Sequence, residues 1–111
     1  MSILSDIQTA TAYLDIPIET GHFSGEAPSK YIVVVPMTSE FFCSDDFPEG
    51  DVQTARLAFY CIGNYETDER NIVDALLTAG VTITDRSYIE YEPDTNYNHV
   101  QIDVVKNYLW R

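Results

Sequence analysis

Ile3, Leu4, Ile7, Ala10 and Leu14 recur at helical spacing, with Ser2 placed as an N-cap and Asp6 in the first turn, and predict a helix over about residues 3 to 14. Pro17 then forces extended geometry on its neighbour, so Ile16-Pro17-Ile18 reads as a short edge strand over about 16 to 20. The Gly, Pro and Ser content of Gly21 to Lys30 marks a loop. It leads into Tyr31-Ile32-Val33-Val34-Val35, a run with no polar side that belongs in a sheet interior and is expected to stop at Pro36.

Thr38 to Asp51 breaks this pattern. It carries Phe41, Phe42 and Phe47 beside Asp45, Asp46, Glu49 and Asp51, is too long for a tight hairpin and too polar for a core, and reads as an extended acidic loop leaving the body. Alternation resumes from Val52 to Ile62, with Leu57, Phe59 and Cys61 on one side and Arg56, Ala58, Tyr60 and Ile62 on the other. After Gly63-Asn64, Thr67 stands as an N-cap before the stripe Ile72, Val73, Leu76 and Leu77, and Gly80 supplies the stop.

A further strand runs from Val81 past an interruption at Asp85-Arg86 to Tyr91, turns through Pro93-Asp94-Thr95-Asn96 and returns from about Asn98 to Lys106. Val100, Ile102 and Val104 there oppose Gln101, Asp103 and Val105. The order predicts one α+β domain over residues 1 to 111, a mixed or mainly antiparallel sheet of about five strands with two helices packed against it.

Composition narrows the partners. Eighteen acidic against six basic side chains give a net charge of -12, a field that repels phosphate backbones and anionic membranes. No stretch approaches the ~20 apolar residues of a membrane helix, and the first residues lack the order of a signal peptide. Cys43 and Cys61 have no metal-type spacing and read as free thiols in a reducing compartment.

The search for chemistry returns no catalytic residue, cofactor site or metal site. His22 and His99 share no ligand spacing, and Ser24 sits one position out of a nucleophile-elbow frame. Phosphate-cradling glycine motifs are missing. The carboxylates of residues 45 to 51 do not follow calcium-loop spacing, and Pro48 limits their convergence, so the segment reads as solvated or partner-facing. Asp85 with Glu90, or Asp74 with Glu66, would form a catalytic pair only within a cleft. What stands out instead is apolar: Phe41, Phe42 and Phe47, with Tyr108, Leu109 and Trp110, occupy places that a monomer usually leaves wet, and point to an intermolecular surface.

The short first helix, the extended Ile16-Pro17-Ile18 and the run from Ala27 to Pro36 are joined by Asn64-Tyr65, Ala75-Leu76-Leu77, Ile83-Thr84-Asp85-Arg86 and Asp103 to Tyr108. Together they resemble the small tail-completion or tail-terminator (minor tail) proteins of tailed bacteriophages and prophages, over nearly the whole chain. The resemblance implies an α/β subunit without catalytic function. It implies a ring, commonly a hexamer, that caps the tail tube and joins it to the head connector, in a virion assembled in the bacterial cytoplasm. Its partners would be copies of itself, the tail-tube protein and the connector, with no specific nucleic-acid or membrane binding.

A ring needs a heterologous interface, so cations such as Arg56 and Arg86 are expected to meet carboxylates of the next subunit, with Phe41, Phe42, Asp45, Asp46, Phe47, Tyr108, Leu109 and Trp110 as further contact residues. A head-tail joining protein shares these features. An acidic DNA-mimic inhibitor is the alternative of another class, but its carboxylates should form rows, whereas these are scattered among loops and caps.

Overall fold

The computed structural model describes residues 2–22 and 25–110. Ser24, considered above, lies outside them, as does Arg111. Ser2 caps helix α1 (Ile3–Thr11), its Oγ accepting from the Ser5 amide at 3.1 Å, and a single 3-10 turn over Ala12–Leu14 completes the expected helical segment. Asp15, at φ 61°, ends it in the left-handed conformation. Strand β1 (Ile18–Thr20) follows, then β2 (Lys30–Ser44), β3 (Phe47–Ile62), helix α2 (Glu66–Thr78), β4 (Thr82–Glu92) and β5 (Tyr97–Leu109).

One mixed sheet holds all five strands in the order β1-β2-β3-β5-β4, with β1 parallel to β2 and every other pair antiparallel. The expected α+β architecture is therefore the observed one. Alternation sorts the sheet into two faces. Ile32 and Val34 of β2, Ala55, Leu57, Phe59 and Cys61 of β3, and Val100, Ile102 and Val104 of β5 turn inward together. Ile3 and Ile7 of α1 and Ile72 and Leu76 of α2 close over them to make the core.

Two local expectations change. Thr67 lies inside the first turn of α2, whose N-cap position is Tyr65, and just ahead of it Asn64 Oδ1 accepts from the Glu66 amide at 3.0 Å. The Asn side chain thus satisfies one of the amides left open at the helix start, a local bond that asparagine makes readily. The other end holds as expected: Gly80, at φ 81°, donates to Leu77 O, and Val81 donates to Leu76 O, the paired bonds of a Schellman stop.

The larger correction concerns residues 38 to 51. Far from being a loop, they are the outer half of a β2-β3 hairpin that continues to a two-residue turn at Asp45-Asp46. Both turn residues have positive φ, 50° and 69°, as the tight hairpin turn requires, and Asp tolerates that conformation better than most side chains. Pro36 does not stop β2. Ile32 N donates to Pro17 O and Gly21 N donates to Val34 O, so these residues face β1, and the two-residue period turns the Pro36 nitrogen the same way. No strand lies there beyond Thr20 among the described residues, so no ladder bond is lost, and a register shift between Pro36 and Thr38 absorbs the ring.

The hairpin makes the molecule long. Its extents are 53 × 24 × 23 Å, and its radius of gyration is 15.1 Å. A compact chain of this length would have about 13 Å. Residues 37 to 44 alone contribute about 25 Å of strand. β5 stiffens the arm, pairing with β3 out to Gly50 opposite Leu109.

Candidate functional site

The tip of the arm concentrates apolar side chains that its own chain leaves open to solvent. Leu109 is 85% exposed and Phe47 74%, with Phe41, Phe42 and Trp110 about half exposed. Register puts them on both faces. Phe41, opposite Asp51 and thence Tyr108, lies on the helix side, while Phe42, opposite Gly50 and thence Leu109, lies on the other. Phe41 meets the Trp110 ring edge-on at 4.7 Å, and the Trp110 amide donates to Glu49 O at 3.0 Å. A shallow groove of about 300 Å³ runs between Phe42, Val52 and Leu109.

Tyr108 is not part of this surface. It is 7% exposed, and its Oη donates to Asp6 Oδ2 at 2.6 Å. Strand alternation explains the split: Leu109 faces away from the helices, and Tyr108 faces α1. Asp6 also receives Lys106 Nζ at 3.0 Å, and the same ammonium donates to Ala79 O at the end of α2. The Tyr108 hydroxyl, and then Lys106, hold the Asp6 carboxyl below its usual range. Burial, followed by the Asp6 hydrogen bond, pushes the Tyr108 phenol well above its usual value.

The charge of the hairpin's outer half is of one sign. From residue 37 to 51 there are Glu40, Asp45, Asp46, Glu49 and Asp51 and no Lys, Arg or His. None of these carboxylates enters an ion pair among the described residues. Among the described residues the cations lie elsewhere, and four of the five are already engaged. Lys30 pairs with Asp68, Arg56 with Asp103 at 2.8 Å, Arg86 with Glu69 at 2.9 Å and Lys106 with Asp6. Arg56 and Arg86 were expected to reach a neighbouring subunit. Arg56 instead stands directly across the ladder from Asp103, and Arg86 shares the helix-side face with α2, so each finds its carboxylate within the chain.

Arg70, in no ion pair among the described residues, borders a depression of about 450 Å³ with Glu66, Glu69, Asp74 and Arg86. Glu66 and Asp74 are eight residues apart on one helix, about 12 Å along its axis, and do not converge as a catalytic pair would. Asp85 and Glu90 lie on β4 opposite Asp103 and His99. Cys61 is buried, and burial followed by the Asp68 carboxylate raises its thiol above the usual range, the opposite of an activated nucleophile. Cys43 is exposed on the arm. Among the described residues no three His, Cys, Asp or Glu side chains cluster as a metal ion would need, and no helix is long and apolar enough to cross a membrane.

The second feature is the sheet face opposite the helices, where sequence reasoning found the alternation but not the cluster it builds. Tyr31 stacks on Tyr60 at 4.8 Å, Tyr60 stacks on His99 at 4.4 Å, and Tyr97 stands edge-on to Tyr31 at 5.4 Å. Tyr97 donates its hydroxyl to Pro28 O. The legible signal was Tyr60 on the side opposite Cys61. Its partners come from β2 and β5 and meet only through register. Burial lowers the proton affinity of His99 against the opposing pull of Glu92 and Glu90, and its buried Nε2 has no hydrogen-bond partner among the described residues. Beyond Val34, the outer edge of β2 carries no strand among the described residues.

No model of a known protein family matches this chain, and no curated protein matches it.

Proposed function

We propose that this chain is a structural assembly protein of a tailed bacteriophage: a tail-terminator or tail-completion subunit that forms a ring, expected to be a hexamer, at the end of the tail tube and joins the tube to the head connector. The observation that carries the reading is the arm, about 25 Å of paired strand that ends in Phe41, Phe42, Phe47, Leu109 and Trp110, all exposed. An isolated subunit gains nothing from holding such a patch so far from its core. A subunit that must reach another molecule does.

Charge supports the same role. At -12 the subunits stay soluble until they assemble, and a ring built from them repels a passing duplex instead of retaining it. The work is done by fit, with no bond made or broken. Light scattering on purified protein, with electron microscopy of tail tubes mixed with it, tests the reading. The expected results are a closed oligomer near six times the 12.6 kDa subunit mass and tubes capped at one end. A monomer that leaves tubes uncapped refutes it.

A further inference from the structure

We propose that the arm tip seats in an apolar groove with a basic rim on a different virion protein, and not on a second copy of this chain. The inference rests on the assembly reading above and assigns the arm its partner. The apolar part of the argument is symmetric: any greasy groove could take Phe42, Phe47 and Leu109. The charge part is not. Five carboxylates surround the tip with no cation among residues 37 to 51, so whatever covers it must bring positive charge within the ~8 Å over which such fields persist in physiological salt.

A second copy has little to bring. Of the five cations among the described residues, Lys30, Arg56, Arg86 and Lys106 are closed onto carboxylates of their own chain. The fifth, Arg70, borders a depression that also presents Glu66, Glu69 and Asp74. An acidic arm laid there would set like charges against each other. Nucleic acid and anionic bilayers carry the same sign as the tip and fail for the same reason. A partner of opposite rim charge gains instead on both counts, with apolar burial supplying affinity and the carboxylates supplying orientation and rate.

Trp110 is the only tryptophan of the chain and packs against Phe41 at the tip, so its emission reports occupancy of this surface without mutation. The experiment compares the full-length chain with Phe42→Ser/Phe47→Ser and with Asp45→Asn/Asp46→Asn/Glu49→Gln, all exposed positions. Circular dichroism checks that each variant is folded. Oligomer mass is read by light scattering, and binding to purified tail tubes and to purified connector rings is followed by Trp110 emission.

The expected result is a wild-type oligomer mass in both variants, with wild-type Trp110 emission shifting to the blue on adding tubes or connectors but not on concentrating the chain alone. Binding should weaken at least about tenfold in either variant, and about tenfold in the wild type between low and high salt. Variants that lose the oligomer, or a Trp110 shift that accompanies self-association, would place the tip on a second copy and overturn the inference while leaving the ring intact as a reading. A wild-type ring whose Trp110 emission ignores both tubes and connectors overturns the inference alone. A wild-type monomer that binds neither overturns the assembly reading and the inference with it.

Discussion

Tyr108 donates its hydroxyl to Asp6 at 2.6 Å, joining the last turn-free stretch of β5 to the first turn of α1 across 102 positions of sequence. This bond and the Lys106 ammonium are why the Asp6 carboxyl ionises more readily in the fold than in an open chain. A carboxyl of lowered proton affinity contributes stability above its unfolded value of 3.8 and loses it as pH falls through the folded value. Urea unfolding between about pH 5 and pH 2 should therefore show a fall in stability that is shallower in Asp6→Asn. Tyr108→Phe should cost about 1 kcal/mol at neutral pH. The raised phenol adds to an alkaline limb: stability declines above pH 10.0, where the unfolded chain ionises before the folded one, and because Tyr31, Tyr60 and Tyr65 are raised as well, Tyr108→Phe makes that decline shallower without abolishing it.

His99 sets a second window. Stacked on Tyr60 and flanked by Glu90 and Glu92, it resists protonation in the fold because burial outweighs the two carboxylates. Stability is complete above its unfolded value of 6.5 and falls as acidification protonates the unfolded chain first. His99→Phe should keep the stack and flatten the profile just below pH 6.5, checked by thermal melts in a pH series.

The hairpin turn should be improvable. Asp46 holds φ 69°, a conformation that glycine adopts without penalty. Asp46→Gly is expected to stabilise the protein by about 0.5–1 kcal/mol, the relief of left-handed strain exceeding the added freedom of the unfolded chain. Denaturant titration measures it, and no gain would mean that the Asp46 side chain itself supports the turn.

Arg56 and Asp103 form a cross-strand pair with side chains 40% and 25% exposed. Such a pair is screened by solvent and adds little. Arg56→Ala should change the unfolding midpoint only slightly and leave the mass of the proposed oligomer untouched. A collapse of the oligomer would return Arg56 to the intersubunit role first expected of it.

Much of the core could be read from the chain because it rests on simple periods. Val100, Ile102 and Val104 alternate cleanly, as do Leu57, Phe59 and Cys61, and all six are buried. The arm was illegible for three separate reasons. Pro36 reads as a stop unless its nitrogen is known to face a bare edge, Asp45-Asp46 lacks the Asn-Gly signature of a tight turn, and the apolar positions Phe41 and Phe42 serve opposite faces of a strand with no core on either side. The candidate site was half visible. Exposed aromatics could be guessed from their setting, but whether Tyr108 joins them depends on strand parity, and whether Arg56 and Arg86 are free depends on which carboxylates the register sets opposite them.

Strand β5 has one mechanical implication. The same thirteen residues that line the arm beside β3 also hold both helices, through Tyr108 on Asp6 and Lys106 on Ala79 O. A pull along the tip would load the β3-β5 ladder in shear, all its rungs at once, and pass directly into the helical layer. The projection is thus a lever rooted in the interior, and whatever it grips is tethered to the part of the molecule that would yield last.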